Sequence, residues 1–156
     1  MTLSSEAKAG FMMSALLESR KALPGCRPNP PVGCVIVVED RIVSRGFTGP
    51  PGTPHAEAAA ISALGPTDSA ASLSAFVTLE PCSFQGRTPS CAVALINRGF
   101  RSVFVGIVDP DPRNNGKGLQ LLREAGIQVE LGTLEREIRE FLAPYLHGSS
   151  HMPAQS

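Results

Sequence analysis

The spacing of apolar residues along this chain alternates between two periods. Apolar residues that recur every three or four positions predict amphipathic helices, and short apolar runs bounded by Gly, Pro or charged pairs predict buried strands. Helices are predicted over residues 5–23, 55–64, 91–98 and 118–125 and from about 134 onward, and strands over 32–38, 41–47, 74–79, 102–108 and 128–131. Helices and strands that alternate in this way are typical of an α/β protein.

Capping and turn residues predict where several of these elements begin and end. Ser4 or Ser5 is the expected N-cap of the first helix, and Gly99 is expected to close the third. Thr53 is the expected N-cap of the second helix, with Pro54 at its first position, which places His55 at a helix N-terminus. The pair Glu39-Asp40 is expected to form a hairpin turn although it lacks the favoured glycine.

The order of the later elements predicts the topology of the sheet. The strand at 74–79, the helix at 91–98 and the strand at 102–108 form a βαβ unit, whose strands are parallel. Together with the N-terminal hairpin, this unit and its repeat predict a three-layer α/β/α sandwich with a five-stranded mixed sheet. Ligands in open α/β sheets bind beyond the carboxyl ends of parallel strands, where Cys82 and Asp109 are expected to lie.

A histidine and two cysteines in this region have the chemistry of a metal site. His55, Cys82 and Cys91 would supply three zinc ligands and leave the fourth position open, as a catalytic zinc site requires. Glu57 is two residues from His55, and both can reach one ion only if it lies off the helix end. Since zinc lowers the pKa of bound water to about 7 and a carboxylate can carry its proton, a hydrolytic site is predicted.

The sequence pattern narrows this hydrolytic chemistry further. His-x-Glu followed by Pro-Cys and a second Cys is the pattern of zinc deaminases, which replace an exocyclic amine on a ring by oxygen. Two residues usually separate the cysteines in that pattern, whereas eight separate Cys82 and Cys91. The remaining cysteines, Cys26 and Cys34, are interpreted as structural thiols, with Cys34 buried in a strand.

Composition limits the partners and the compartment. Lys plus Arg and Asp plus Glu both total 14, so the net charge is zero, which argues against a nucleic-acid partner. No apolar stretch approaches the roughly 20 residues that a membrane span requires, and the first residues lack the basic and apolar blocks of a signal peptide. Four cysteines with two predicted ligands suit a reducing compartment, so a cytoplasmic location is expected.

Several sequence runs together carry a family resemblance. They are RPNPPVG at 27–33, PHAEA at 54–58, TLEPCS at 78–83, GRTP at 86–89 and DP at 109–110. With these runs, the chain resembles the deaminase domain of bacterial riboflavin biosynthesis, a member of the cytidine deaminase-like superfamily, from about Phe11 to Leu142. The resemblance implies a cytidine deaminase-like fold, one zinc ion per chain and a homodimer or larger oligomer. The implied substrate is an aminopyrimidine, diaminohydroxyphosphoribosylaminopyrimidine or its ribityl form.

The same resemblance implies roles for single residues. His55, Cys82 and Cys91 would bind zinc, and Glu57 would shuttle protons. Asn29 would contact the substrate, Arg87 would bind its phosphate, and Asp109 would lie near its ribose. Asp111 occupies a further substrate-binding position.

At three positions the chain departs from the family pattern. Phe84 stands where members usually have His, Asp111 where they have Asn, and Thr48 is the nearest equivalent of another usual His. A carboxylate at Asp111 would repel a phosphate unless Arg113 or Lys117 compensates for its charge.

Three functions are therefore compatible with the sequence. They are the riboflavin-pathway deaminase, a deaminase of another small amino-heterocycle such as a free base, nucleoside or antibiotic precursor, and a non-catalytic zinc-stabilised binding module. Glu57 argues against the third of these functions.

The extent of the domain is also predicted. Residues 1–146 are expected to form the deaminase domain, and 147–156 to form a flexible tail that resembles a cloning remnant. Bacterial relatives often continue into a reductase domain, for which no room follows, so either a separate reductase acts in the pathway or the chain is a fragment. The Gly-x-Gly that follows Asn115 lacks the third glycine of a nicotinamide-binding fingerprint.

Overall fold

The helices and strands of the protein follow the predicted order. The computed structural model describes residues 3–65, 72–84 and 89–149. Its helices are α1 (Ser5–Ser19), α2 (Ala56–Leu64), α3 (Cys91–Arg98), α4 (Lys117–Glu124) and α5 (Glu135–Ser149), and its strands are β1 (Gly33–Val38), β2 (Arg41–Phe47), β3 (Ser74–Leu79), β4 (Ser102–Ile107) and β5 (Gln128–Leu131). A short 3-10 helix over Arg20–Ala22 continues α1, and the N-cap Ser4 accepts a hydrogen bond from the Ala7 N–H at 3.1 Å.

The five strands form one mixed sheet in the order β2-β1-β3-β4-β5. Strand β1 is antiparallel to both β2 and β3, whereas β3, β4 and β5 are parallel to one another. The five-stranded mixed sheet predicted from the sequence is therefore confirmed.

Alternate residues of the central strands supply two separate cores, one on each face of the sheet. In β3, Val77 belongs to the core shared with α2, α3 and α4, whereas Phe76 belongs to the core shared with α1 and α5. Val105 and Phe104 of β4 divide between the two cores in the same way. Because successive strand residues point to opposite faces, this division produces the predicted α/β/α layers.

The β1–β2 hairpin closes without glycine, as predicted. Glu39 and Asp40 both have positive φ angles, of 48° and 66°, which is the backbone conformation that a two-residue hairpin turn of type I′ requires. Asp tolerates this left-handed region better than most residues, because its short polar side chain can bond locally.

The start of α2 differs from the prediction in one respect. The N-cap is His55, in an extended conformation with φ −74° and ψ 174°, and not Thr53. The Thr53 hydroxyl instead donates to the carbonyl oxygen of Pro50, within the preceding loop. The prediction that His55 lies at a helix N-terminus is nevertheless confirmed.

Helix α2 lies very close to β2, and a glycine makes this approach possible. A Cβ atom at Gly46 would collide with the carbonyl oxygen of Ala56 and the backbone nitrogen of Ala60. The Ser44 hydroxyl also donates to the carbonyl oxygen of Ala60. These two contacts fix the helix that carries His55 and Glu57 against the sheet.

The C-terminal helix extends beyond the domain boundary predicted at residue 146. Helix α5 continues to Ser149, and residues 150–156 of the predicted tail lie outside the described residues. The boundary therefore stays a prediction. No helix in the described part of the chain combines the length and apolarity needed to cross a membrane.

Candidate metal centre

Three separate elements bring the predicted zinc ligands together. His55 is the N-cap of α2, Cys82 follows β3, and Cys91 is the first residue of α3. Their ligand atoms all lie within 4.8 Å of one another. His55 Nδ1 lies 3.4 Å from Cys91 Sγ and 3.9 Å from Cys82 Sγ.

These separations fit a zinc ion. Tetrahedral bonds of 2.0–2.1 Å to nitrogen and about 2.3 Å to sulfur place two such ligand atoms about 3.6 Å apart. One imidazole and two thiolates also match the borderline-soft character of Zn²⁺, and a three-residue set leaves one position for water.

The loop that carries Cys82 is fastened to the N-terminus of α3. The Ser90 hydroxyl accepts from the Val93 N–H at 3.2 Å, as an N-cap, and donates to the carbonyl oxygen of Cys82 at 2.8 Å. The Ala92 N–H donates to the same carbonyl at 3.0 Å. Because of these bonds, the two cysteines hold a fixed relative position although eight residues separate them in sequence.

The thiols of Cys82 and Cys91 have opposite protonation tendencies. The hydrogen bond from the Cys91 thiol, followed by that from His55, lowers the pKa of Cys82 to about 4. The same Cys82 hydrogen bond, followed by burial, raises the pKa of Cys91 well above its usual value. The hydrogen bond with Cys82 also raises the pKa of His55. These contacts favour the thiolate at Cys82 and the thiol at Cys91, so zinc binding, which requires thiolate ligands, would displace the proton of Cys91.

Glu57 lies in the first turn of α2 and lines the same pocket as His55 and Cys82. The residue is only 4% exposed, and burial, followed by the Cys82 thiolate, raises its carboxyl pKa to about 7. A carboxyl group with a pKa near neutrality can both accept and give up a proton. Glu57 is not a member of the three-residue ligand cluster, so it is available for this role.

A pocket of about 120 Å³ opens at the carboxyl ends of β3 and β4. Six of the eight residues to which the sequence assigned a role in the site line it, namely Asn29, His55, Glu57, Cys82, Asp109 and Asp111. Arg87 lies outside the described residues, and its predicted phosphate contact stays a prediction. Thr48 also lines the pocket, and its Oγ1 accepts from the Val32 N–H at 3.0 Å.

The loop after β4 holds two aspartates with different environments. Asp109 accepts from the Asp111 N–H at 3.0 Å and from Asn114 Nδ2 at 3.3 Å, and burial is the main cause that raises its pKa to about 6. Asp111 instead forms an ion pair with Arg113 at 2.7 Å, and the hydrogen bond from Arg113 lowers its pKa. Arg113 therefore supplies the compensating charge considered for Asp111.

Two buried polar residues that the sequence analysis missed join the loops of the site. The Glu80 carboxylate, 3% exposed, accepts from the N–H groups of Asp109 (3.0 Å), Gly116 (2.9 Å) and Leu119 (3.1 Å). Glu80 lies in the TLEPCS run, between β3 and the proposed ligand Cys82, and this position could have identified it from the sequence.

Asn114 is the second of these residues and is 0% exposed. Its Oδ1 accepts from the Ser83 N–H, and its Nδ2 donates to the carbonyl oxygen of Pro81, each at 3.1 Å, and to Asp109. Asn114 thus connects the loop that carries Cys82 to the loop that carries Asp109. Nothing in the polar run around Asn114 distinguishes it from a solvated loop residue.

Comparison with known proteins identifies relatives for most of the chain. Residues 5–107 match the family described as the cytidine and deoxycytidylate deaminase zinc-binding region. The riboflavin biosynthesis protein RibD of Chlamydia pneumoniae is 44% identical over 147 residues, which are 94% of this chain and 39% of that protein.

Two solved structures have the same fold. One is a diaminohydroxyphosphoribosylaminopyrimidine deaminase/5-amino-6-(5-phosphoribosylamino)uracil reductase from Thermotoga maritima, with a TM-score of 0.87 and 34% identity over 95% of this chain and 42% of that one. The other is the Rib2 deaminase of Aspergillus oryzae in complex with DARIPP, with a TM-score of 0.75 and 25% identity over 93% of this chain and 94% of that one. The chain thus spans about two fifths of the length of the Chlamydia and Thermotoga relatives.

Proposed function

This chain belongs to the cytidine and deoxycytidylate deaminase family, and we propose that it is a zinc-dependent hydrolytic deaminase of an aminopyrimidine in riboflavin biosynthesis. The proposed substrate is diaminohydroxyphosphoribosylaminopyrimidine or its ribityl form, from which the reaction releases ammonia. The observation that carries the proposal is the cluster of His55, Cys82 and Cys91 beside the buried carboxyl group of Glu57.

The chemistry follows from the separate positions of the ligands and the carboxyl group. We assign His55, Cys82 and Cys91 as the residues that hold one zinc ion, which when bound supplies an activated water at neutral pH. Glu57 would take the proton of that water, deliver it to the ring nitrogen and then pass a proton to the leaving amine. Its raised pKa suits it to both directions of transfer.

The polar lining of the pocket supports the proposed substrate. Asn29 offers both a donor and an acceptor to the substituents of a pyrimidine ring. The two carboxylate oxygens of Asp109 are oriented by Asp111 and Asn114 and can accept from sugar hydroxyl groups. The names of the Thermotoga and Aspergillus relatives, a pyrimidine deaminase and a deaminase bound to DARIPP, favour the same substrate class.

An ammonia-release assay on the zinc-loaded protein tests the proposal. The substrates are the ribosyl and ribityl aminopyrimidine 5′-phosphates, their dephosphorylated forms, cytosine, guanine and adenosine. Release from either phosphorylated aminopyrimidine, lost in Glu57→Gln, is the expected result. Release only from other compounds would contradict the proposed substrate, and no release from any of them would favour a binding module.

A second candidate is a deaminase of another small amino-heterocycle, and one observation favours it. Asp111 and Phe84, two of the departures from the family pattern, both contact Arg113 at the pocket wall. This wall therefore differs from that of the family pattern, while the zinc cluster matches it. The same assay distinguishes the two candidates.

We also propose a cytoplasmic, homo-oligomeric protein, most simply a dimer, with no nucleic-acid or membrane partner. All four cysteines are free, which suits a reducing compartment, and large apolar side chains are exposed at Leu17, Val43 and Val93. A reductase is a further proposed partner, since the name of the Thermotoga relative includes a reductase activity beside the deaminase activity. Light scattering of the purified chain, alone and with such a reductase, tests both associations.

A further inference from the structure

Arg113 lies at the wall of the pocket, on the loop that follows β4. Its guanidinium carbon lies 4.6 Å from the centroid of the Phe84 ring, which is within cation–π distance. Phe84 comes two residues after Cys82, so the arginine packs against the loop that carries a proposed metal ligand.

Asp111 fixes one edge of the same guanidinium group. Arg113 Nε donates to Asp111 Oδ1 at 3.1 Å and to Oδ2 at 3.2 Å, and Nη2 donates to Oδ2 at 2.7 Å. The Arg113 backbone N–H donates to Oδ1 at 2.9 Å. Within the described residues, Nη1 has no hydrogen-bond partner, and the arginine side chain is 40% exposed.

The guanidinium group is thus held on one face and one edge, with its other edge open. A planar group with fixed N–H donors binds two oxygens of a phosphate or carboxylate in parallel. Because Asp111 and Phe84 already restrict the side chain, such binding would cost little further conformational entropy.

We propose that Arg113 is a specificity-determining residue that binds an anionic substituent of the substrate, of the phosphate monoester class, through the open edge of its guanidinium group. Asp111 and Phe84 act as positioning residues that orient this group. The proposal rests on the proposed deaminase function and assigns the part of the substrate that does not react.

Among the described side chains that line the pocket, Arg113 is the one best suited to bind an anion outside the metal cluster. Glu57, Asp109 and Asp111 are hydrogen-bond acceptors or acids, which suit amines and hydroxyl groups. Apart from His55 in the metal cluster, Arg113 is the one basic side chain among the described lining residues. Since Asp111 cancels much of its charge at long range, recognition depends on short, directed hydrogen bonds.

Steady-state kinetics with matched substrates test the proposal. Charge-assisted hydrogen bonds are worth about 1.5–3 kcal/mol, so Arg113→Ala should raise KM for the phosphorylated aminopyrimidine by about 10–150-fold. The kcat of Arg113→Ala, and its kcat/KM for the dephosphorylated form, should stay within about twofold of the wild-type values. Arg113→Lys should have a KM between those of the wild type and Arg113→Ala. Arg139→Ala, which removes another arginine–carboxylate pair from the exposed face of α5, is the control and should change neither.

The outcomes separate this proposal from the proposed function. Equal losses with both substrates, or no loss with either, would overturn the role of Arg113 while leaving the deaminase intact. If the wild-type chain turns over neither substrate, binding of ribose 5-phosphate and of ribose by calorimetry decides instead. Tighter binding of ribose 5-phosphate that disappears in Arg113→Ala supports the proposal, and equal binding of the two sugars, or a preference that survives in Arg113→Ala, overturns it.

Discussion

The backbone N–H of Cys91 donates a hydrogen bond to Cys82 Sγ at 3.2 Å. This bond comes from the first turn of α3, where N–H groups lack partners within the helix and carry partial positive charge. Cys91 therefore stabilises the Cys82 thiolate through its backbone N–H and supplies another proposed zinc ligand through its own side chain.

Replacement of Cys82 should weaken zinc binding strongly. A serine hydroxyl is a poor ligand for Zn²⁺, and changes to residues that merely orient a ligand already cost about 10–100-fold in affinity. Cys82→Ser should therefore lose more than about 100-fold, as measured by competition with a zinc-binding dye. Cys26→Ala is the control, because Cys26 is a buried thiol outside the cluster. Equal zinc affinity in Cys82→Ser and the wild type would contradict the assigned ligand set.

Replacement of Glu57 should separate metal binding from turnover. Glutamine has nearly the same shape but cannot carry a proton, and general acid–base catalysis contributes about 10²–10⁴-fold. Glu57→Gln should keep its zinc, measured by elemental analysis, and lose kcat by at least this factor. Glu140→Gln makes the same change at an exposed position of α5 and should keep full activity. Normal turnover by Glu57→Gln would exclude the proton-shuttle role.

The sequence predicts the elements and the metal cluster well, because both depend on local patterns. Strand β3 and helix α3 have the predicted bounds, and His55 lies at the N-terminus of α2 as expected. The residues that join the loops of the pocket wall were harder to predict from the sequence. Glu80 and Asn114 acquire their hydrogen-bond partners only when two loops meet in the folded chain. Thr53 was wrongly chosen as a helix cap because its residue type suits both a cap and the loop bond that it makes to Pro50.

Asn114 should be important for stability although its neighbours in the loop are exposed. Asn114→Ala would remove the hydrogen bonds to the half-buried Ser83 N–H and to the buried carbonyl oxygen of Pro81, and an unsatisfied buried group costs about 1–3 kcal/mol. The free energy of unfolding in urea should fall by about 2–4 kcal/mol. Asn115→Ala, at the adjacent exposed residue, is the control and should change the free energy of unfolding by less than about 0.5 kcal/mol. Similar values for the two variants would refute this role.

Asp109 should make stability fall as the pH rises. Its folded-state pKa of about 6 exceeds the usual value of 3.8 because of burial, so between these values the folded chain binds more protons than the unfolded chain. The contribution of this group is therefore most favourable below about pH 4 and is lost as the pH rises through 6. The full effect is at most about 3 kcal/mol.

The variant Asp109→Asn isolates this effect. The free energy of unfolding of the variant relative to wild type, measured in urea on the zinc-loaded proteins, should rise between pH 4.5 and 7.5. Subtraction cancels the pH dependence that both proteins share through their zinc ligands. A difference that is constant over this range, or that falls with pH, would show that Asp109 does not titrate as proposed.

Gly46 should control the position of the helix that carries His55 and Glu57. A methyl group there would collide with backbone atoms of α2, which cannot move aside as a flexible side chain could. Gly46→Ala should therefore destabilise the protein by about 1–3 kcal/mol and weaken zinc binding by displacing His55. Gly10→Ala is the matched control, because nothing lies within 4 Å of its added Cβ in α1, and it should stabilise the protein by about 0.5–1 kcal/mol. If Gly46→Ala kept both its stability and its zinc affinity, the close contact between α2 and β2 would not be what positions the metal cluster.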